Sequence, residues 1–286
     1  MTAILSMVCA AALAIQAAQP APTFDQTVNV TRGTRISVSN QAGEVVMRSW
    51  DRDAVRVTAR HSARARVNVR PADGILSIMG SGLGAIDYDI TVPSWMPVKV
   101  TGHYNYIELN GMGAEVTAEN VRGDIDIKGG RGFVTAKSIE GKITISGTQG
   151  KVTATTVNDH LSVDGAAGEV VVESVNGNIT LTGMRATGVD ASSVNGTLQY
   201  RGTLADQGRY SFVTHNGGIR LAIQPTPNAT FYVRSYGGGF DHGGVNLKPQ
   251  GEPRRGRRNT YVAGTGAAQV ELESFNGGIR IAAAGQ

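Results

Sequence analysis

The middle of this chain repeats itself, and the repeat constrains the fold more than any other feature of the sequence. Between Glu115 and Asp206, valine recurs with a constant 18-residue period that lengthens by one at the last step, at Val116, Val134, Val152, Val170 and Val189. A second apolar position recurs in the same phase, at Val121, Ile139, Val157, Val175 and Val194. A fixed period of this size is typical of a solenoid, in which no unit can bury its apolar face alone and stacked units share one core.

Each repeat unit predicts two short strands joined by tight turns. Apolar and polar residues alternate in Glu115–Glu119 and Asp124–Lys128, which gives each strand one face for the core and one for water. The turns carry Asn-Gly, as at Asn176-Gly177, and these residues tolerate the positive φ that we expect a tight corner to require. Asn-Gly also suits antiparallel hairpins, so an antiparallel β-meander is the alternative. The constant spacing favours stacked rungs, and we predict an all-β, single-domain β-solenoid of the parallel β-helix type with 18-residue, two-strand rungs.

The N-terminal segment 1–18 predicts export. It carries no charge, and the apolar run Ala3–Ile15 is followed by small residues, as in the core and cleavage region of a secretory signal peptide, although the usual basic start is missing. The run is too short for a comfortable membrane span, so we expect no transmembrane span in the mature chain. Cys9 is the only cysteine, and its removal would exclude disulfides and thiol catalysis. We expect a location in the periplasm, on the outer cell surface or outside the cell.

The rest of the chain is interpreted as a leader and one elongated domain. Residues 19–32 resemble a loose leader, and residues 33–283 form the solenoid domain. Its regular rungs span 97–206, and a long insertion spans 241–266. With 38 glycines, 41% hydrophobic residues and only 17% charged residues, the chain can bury a long core.

The insertion carries the strongest charge signal in the chain. The segment Arg254-Arg255-Gly256-Arg257-Arg258 places four guanidinium groups almost side by side in the sequence, so it predicts an exposed, mobile loop. Arginine presents a planar fork that matches phosphate and carboxylate. We therefore treat these four arginines as candidate binding residues for acidic envelope polysaccharide or lipopolysaccharide. Nucleic acid is not an expected partner of an exported protein.

Aromatic side chains supply the second group of candidate binding residues. Carbohydrate surfaces need rings that stack on sugars, yet residues 115–186 contain only Phe133. Tyr104 and Tyr106 lie just before these rungs, and we include both among the candidate binding residues.

The search for catalytic chemistry yields one weak candidate. Histidines are scattered, and neither a nucleophile elbow nor a phosphate-binding loop occurs, so we predict no metal and no cofactor. Stacking in the 18-residue register, however, places Glu108 above Asp126. Two carboxyl groups roughly 5 Å apart suit a retaining glycosidase, and a polysaccharide-active enzyme is therefore the alternative function.

The sequence as a whole resembles a known family. The segment Asn40–Arg60, the strand Tyr88–Pro93, the rungs carrying Ser-Val-Asn-Gly and the terminal Ser-Phe-Asn-Gly-Gly-Ile-Arg-Ile are similar to the bacterial exported β-repeat proteins of the putative-adhesin family, a domain family of unknown function. The resemblance implies a β-helix-like fold and an envelope or surface location. We expect a non-enzymatic, adhesin-like binding or scaffold module. A regulatory envelope protein that contacts only other proteins is a further possibility.

Overall fold

The computed structural model describes residues 24–284, which form strands and turns without any helix. The expected signal peptide, residues 1–18, lies outside the described residues. In chain order the strands are β1 (Phe24–Asn29), β2 (Arg35–Trp50), β3 (Ala54–His61), β4 (Ala65–Ala72), β5 (Ile75–Gly82), β6 (Ile86–Pro93), β7 (Val98–Met112), β8 (Val116–Arg122), β9 (Ile125–Gly129), β10 (Arg131–Glu140), β11 (Ile143–Ser146), β12 (Gln149–Thr156), β13 (Leu161–Asp164), β14 (Ala167–Ser174), β15 (Ile179–Ser193), β16 (Leu198–Gly202), β17 (Arg209–Thr214), β18 (Ile219–Ile223), β19 (Ala229–Ser235), β20 (Phe240–Asp241), β21 (Lys248–Pro249), β22 (Asn259–Ala263), β23 (Ala268–Ser274) and β24 (Ile279–Ala283).

These strands build two parallel sheets that face each other across a shared core. The first sheet runs in the order β5, β2, β7, β8, β10, β12, β14, β15, β17, β23, β19. The second sheet runs in the order β6, β2, β7, β9, β11, β13, β15, β16, β18, β24, β20. Strands β2, β7 and β15 are long enough to cross a corner and contribute to both sheets. The β-solenoid prediction is confirmed, and the antiparallel meander is wrong for the rungs.

The 18-residue register holds residue by residue. Val134 pairs with Val116 on one side and Val152 on the other, and Ile143 pairs with Ile125 and Leu161. All of these side chains are at most 1% exposed. Identical positions therefore stack as buried columns, which explains why the spacing in the sequence is constant.

The second apolar column does not point inward, which corrects the simplest interpretation of the repeat. Val121, Ile139, Val175 and Val194 lie at the corners between the two sheets and are 38–48% exposed. Small polar side chains fill the inside of the corner instead: Asn120 in the rung of Val121, and hydroxyl side chains in the rungs that follow. The Thr214 hydroxyl, for example, is buried and donates a hydrogen bond to the Gly196 carbonyl oxygen of the preceding rung at 3.0 Å.

At two of the corners glycine is required for a different reason from the one predicted, whereas Gly123 and Gly141, at equivalent corners, do have a positive φ. Gly177 and Gly196 do not have a positive φ. A Cβ at Gly177 would instead overlap the carbonyl oxygen of Asp159 in the rung before, and a Cβ at Gly196 would overlap that of Gly177. Close approach of stacked turns, rather than backbone conformation, therefore selects glycine at these two positions.

An asparagine ladder runs along the same corner. The side-chain amides donate to one another at 2.8 Å through Asn158, Asn176, Asn195, Asn216 and Asn276. The last step joins asparagines that are far apart in the sequence, because the final rung of the chain packs directly on the rung of β17 and β18.

At both ends of the stack, one rung is inserted between two others, so the spatial order of the strands differs from their order along the chain. We call this insertion threading. Strands β23 and β24 lie one place in from the C-terminal end, between β17/β18 and β19/β20, and β2 lies between β5/β6 and β7. Antiparallel strands cover the outer edges: β4 covers β5, and β3 covers β6. At the other end β22 covers β19 and β21 covers β22. Exposed edge strands invite pairing with other chains, so this arrangement protects the outer edges of β5, β6 and β19.

Two segments are more ordered than the sequence suggested. The expected loose leader, residues 19–32, is wrong where the structure describes it, because β1 pairs antiparallel with β3. The insertion at 241–266 contains β21 and β22, and its Val245, Leu247 and Tyr261 are buried. The insertion therefore forms part of the cap on the C-terminal end of the solenoid.

Candidate functional site

The four clustered arginines lie on the link between β21 and β22, at the C-terminal end of the solenoid, and all four are exposed or half-exposed, as expected. The link is fastened to the cap. Gly256 N–H donates to the Ser235 carbonyl oxygen at 3.2 Å, and the Asn259 side chain bonds to the backbone of Arg254 in both directions, at 2.8 and 3.0 Å. These contacts give the arginine-bearing segment a defined position on the last rung.

The guanidinium groups are not equivalent. Arg258 lies over the Tyr232 ring, with its Cζ 4.3 Å from the ring centroid, and pairs with Glu271 at 3.4 Å. One of the four charges therefore has an acidic partner, on a strand outside the insertion. Arg255 donates to two backbone carbonyl oxygens, those of Tyr236 and Gly237.

The side chains of Arg254 and Arg257 remain open to solvent. Within residues 24–284 neither guanidinium group takes part in an ion pair or a hydrogen bond. Arg254 and Arg255 also line a concavity of about 510 Å³, whose wall is formed by the glycine turn 237–239 and Phe240. Unpaired, exposed guanidinium groups beside a concave surface are suited to binding phosphate or carboxylate groups.

Tyr104 and Tyr106 are far from these arginines. Both lie on β7, and eight strand spacings separate β7 from β19 in the first sheet, which amounts to roughly 38 Å. Tyr104 is 59% exposed at a corner, where the Arg122 guanidinium lies 5.7 Å from its ring centroid. The structure therefore does not join the two predicted groups of binding residues into one site.

The two candidate carboxylates are neighbours, as the register predicted. Glu108 on β7 pairs directly with Asp126 on β9, on the outer surface of the second sheet. Asn110 Nδ2 donates to Glu108 Oε1 at 2.6 Å, and Lys128 Nζ lies 3.7 Å from Asp126 Oδ2. Asp126 Oδ1 is shielded from solvent and has no hydrogen-bond partner within the described part of the chain.

The pKa of Tyr106 is affected by this pair of carboxylates. Burial, followed by the negative charges of Glu108 and Asp126, raises the pKa of the Tyr106 hydroxyl. The carboxylate pair thus creates a local negative potential, although both side chains lie on an open sheet surface and are held by neutral or cationic neighbours.

Sequence reasoning missed a basic group on the same surface. Arg220 on β18 pairs in register with Arg280 on β24, so two guanidinium groups stand side by side, and Arg201 lies on the next strand. Asp241 lies 3.4 Å from Arg280 and partly balances it. The signal was the sequence Asn-Gly-Gly-Ile-Arg, which occurs at 216–220 and again at 276–280. Only the threading of the last rung brings the two copies together.

The exposed apolar corner is the other feature that sequence reasoning missed. Its aliphatic residues continue into three rings at the C-terminal end, where His215 and Phe275 lie 4.8 Å apart and Phe275 stacks on Tyr236 at 4.5 Å. The stacked rings extend the apolar surface to the terminal rung, next to Arg255.

These observations define the class of protein: a capped, parallel β-solenoid whose outward-facing columns carry the charged and polar side chains. The family model described as Toastrack DUF4097, a domain of unknown function, matches residues 33–282, and the chain belongs to this family. The match confirms the resemblance found in the sequence.

Other comparisons add little to the family assignment. No curated protein matches the chain. Among solved structures, one match is the crystal structure of a putative cell adhesion protein from Clostridium sporogenes, 11% identical to this chain. The match covers 90% of this chain and 98% of the other, with a TM-score of 0.22. Within residues 24–284, no helix is long and apolar enough to cross a membrane.

Proposed function

We propose that this protein is an exported, non-enzymatic binding or scaffold module of the bacterial cell envelope, and that its C-terminal cap holds acidic envelope material. The observation that carries the proposal is the pair of exposed guanidinium groups, Arg254 and Arg257, which have no acidic partner among the described residues. The apolar run Ala3–Ile15 supports export.

The charge distribution supports an acidic ligand. Between residues 207 and 284 there are nine Lys or Arg against four Asp or Glu, and four of the nine lie at Arg254, Arg255, Arg257 and Arg258. A local excess of one sign attracts ligands of the opposite sign and accelerates their association. Carboxylates of an acidic polysaccharide and phosphates of lipopolysaccharide both offer oxygen pairs that match the guanidinium fork.

A triple substitution tests this proposal. Arg254→Ser/Arg255→Ser/Arg257→Ser removes three of the four exposed charges and keeps Arg258, whose packing on Tyr232 belongs to the cap. We expect affinity for immobilised lipopolysaccharide or acidic polysaccharide to fall at least about tenfold, or about 1.4 kcal/mol. Parent binding should itself weaken steeply as ionic strength rises.

The matched control removes three arginines from the opposite end. Arg64→Ser/Arg66→Ser/Arg70→Ser changes the net charge equally on the exposed β4 hairpin. This variant should bind nearly as the parent does. An equal loss of affinity in both triple variants would show that overall charge, and not the cap, determines binding, which would contradict the proposal. Binding of the cap variant with the affinity of the parent would also contradict it.

An enzymatic function is the second candidate, because the structure holds Glu108 and Asp126 as direct neighbours. Carboxyl groups at this spacing suit a retaining glycosidase. A reducing-end assay on plant, algal and bacterial polysaccharides decides between the two functions. We expect no product from the parent protein. Activity that disappears in Glu108→Gln or Asp126→Asn would replace the binding proposal with an enzyme.

A further inference from the structure

The outer surface of the second sheet is sorted by charge along the solenoid axis. One outward column takes one residue from each of eight consecutive strands, β7, β9, β11, β13, β15, β16, β18 and β24. In spatial order the column is Glu108, Asp126, Thr144, Ser162, Thr180, Gln199, Arg220 and Arg280. Two acidic residues begin it, four neutral residues fill the middle, and two basic residues end it.

Because the two ends of the column carry opposite charges, the column is complementary to a reversed copy of itself. If a second copy faces the first with its axis antiparallel, Glu108 meets Arg280, Asp126 meets Arg220, Thr144 meets Gln199, and Ser162 meets Thr180. The same four contacts occur twice, because a two-fold axis between β13 and β15 relates them. A two-fold interface requires this property: if residue i contacts j, then j contacts i.

We propose that the second sheet is a self-complementary surface through which two copies of this chain associate face to face, with their solenoid axes antiparallel. Each copy carries a like-charged pair at both ends of the column, which costs energy in the isolated chain. The second copy supplies the opposite charges at both ends. The Asp126 side chain, which is 26% exposed, gains an opposite charge in Arg220 of the second copy.

The column on one side of this one is compatible with the same arrangement by size. Asn110, Lys128, Ser146 and Asp164 begin that column, and Arg201, Ala222 and Ala282 end it. Reversal sets Lys128 against Ala222, and Asn110 against Ala282. A concavity of about 650 Å³ lies over these alanines, between Arg201, Arg220 and Arg280, and gives room for the larger side chains.

The column on the other side is compatible with the same arrangement. Tyr106 meets Gly278, and Lys142 meets Thr197. No like charges become opposed in any of the three columns described here. Like charges across an interface are the usual penalty that selects against a wrong partner, and their absence favours this pairing.

The estimated area predicts a weak, salt-sensitive dimer. Eight strands at roughly 4.8 Å spacing and three outward columns about 13 Å across give roughly 500 Å² per copy, or about 1,000 Å² in total, near the lower limit of specific interfaces. Two intramolecular ion pairs compete, Arg280 with Asp241 at 3.4 Å and Lys128 with Asp126 at 3.7 Å. Both are long and partly solvent-exposed, so each opposes association only slightly.

Sedimentation equilibrium of the full chain tests the proposal. From about 10 to about 500 μM protein, we expect a species of twice 29.9 kDa at about 20 mM salt and its loss at about 500 mM salt. A monomer at every concentration would overturn the proposal.

Charge reversal identifies the surface. Asp126→Arg and Arg220→Asp should each raise the dissociation constant at least about tenfold, because each opposes like charges twice in the dimer. The combined variant Asp126→Arg/Arg220→Asp should recover to within about threefold of the parent, a non-additivity that only direct contact produces. If the two effects simply add, these residues do not meet and the proposal fails.

A steric pair of variants completes the test. Ser162→Arg adds bulk at the two-fold axis and should abolish the dimer, whereas Thr135→Arg adds the same group at an outward position of the first sheet and should leave it intact. Circular dichroism and thermal melting of each variant confirm folding. The proposal is independent of the envelope ligand. Loss of acidic-polymer binding in Arg220→Asp, with no dimer in the parent, would assign the basic group to the polymer instead.

Discussion

Replacement of Ile143 by aspartate is expected to unfold several rungs together. Ile143 is 0% exposed and lies between Ile125 and Leu161 in adjacent rungs, which are themselves almost fully buried. Ile139, one turn earlier in the chain, is 48% exposed at the corner. The two isoleucines therefore offer the same substitution in the same rung, with opposite burial.

The expected magnitudes differ widely. Truncating a buried isoleucine costs about 2–5 kcal/mol, and an unpaired carboxylate in the same position adds several more. The sum is comparable to the whole stability of a typical domain, about 5–15 kcal/mol. Ile139→Asp exchanges one solvated side chain for another and should cost no more than about 1 kcal/mol.

Urea unfolding followed by circular dichroism measures both variants, and limited proteolysis locates the change. We expect Ile143→Asp to lose most of its cooperative transition and to be cleaved at many sites across neighbouring rungs, since each rung is stabilised by its neighbours. Ile139→Asp should keep the parent transition. A single nick near residue 143 with the other rungs protected, or equal destabilisation in both variants, would refute the reasoning.

Three further predictions concern single side chains. Burial raises the pKa of Tyr88 to about 12. In the unfolded chain a tyrosine titrates near about pH 10. The raised pKa of Tyr88 therefore lowers the free energy of unfolding only as pH rises above about 10, and this decrease is complete once pH passes about 12. Tyr88→Phe also removes a buried hydroxyl without a hydrogen-bond partner in the described chain; it should flatten the alkaline loss in pH-dependent melting and leave the neutral-pH Tm unchanged or higher. Glu108→Gln should lower the pKa of Tyr106 in a spectrophotometric titration, with Tyr106→Phe as the reference; an unchanged pKa would contradict the charge assignment. Gly177→Ala should destabilise by about 1–3 kcal/mol in urea because its Cβ overlaps the turn below, whereas Gly278→Ala, whose Cβ has ordinary contact distances, should cost less.

The regular rungs were predictable because strand alternation and an 18-residue period act together. Alternation decides which side chains point inward, and the period decides which residues stack, so the burial of Val134 and Ile143 followed directly. The same logic fails at the corner, where the backbone turns and alternation stops. Ile139 therefore points to solvent, and the narrow inside of the corner takes small hydroxyl side chains such as Ser138.

The threading of the ends was not predictable from local pattern. Parallel pairing requires no particular sequence distance, and nothing local distinguishes a rung that follows its predecessor from one that returns to fill an inner place. The repeated Asn-Gly-Gly-Ile-Arg was a real clue, since similar rungs stack well. It could not reveal that the segment between Arg220 and Arg280 extends outward to cap the stack.

The candidate site was predictable only as a list of residues. Four clustered arginines predict exposure, because unpaired charges cannot be buried. Their individual contacts depend on the cap: Arg258 finds Glu271 because β22 and β23 both flank β19, a relation set by tertiary structure. The carboxylate pair was predictable because Glu108 and Asp126 occupy the same position in successive rungs of the regular register.

The capped ends direct recognition to the sides of the solenoid. An open stack could add further strands at either end, but β22 covers the last strand of the first sheet and β3 covers the outermost strand of the second. The outward columns are then the surfaces left for specific contacts. Their residues contribute little to the core, so a column can change from Glu108 at one end to Arg280 at the other while the buried columns beneath stay apolar. A solenoid of this kind separates the residues that stabilise it from those that recognise a partner, which is why substitutions on the outer columns are expected to alter binding without unfolding the chain.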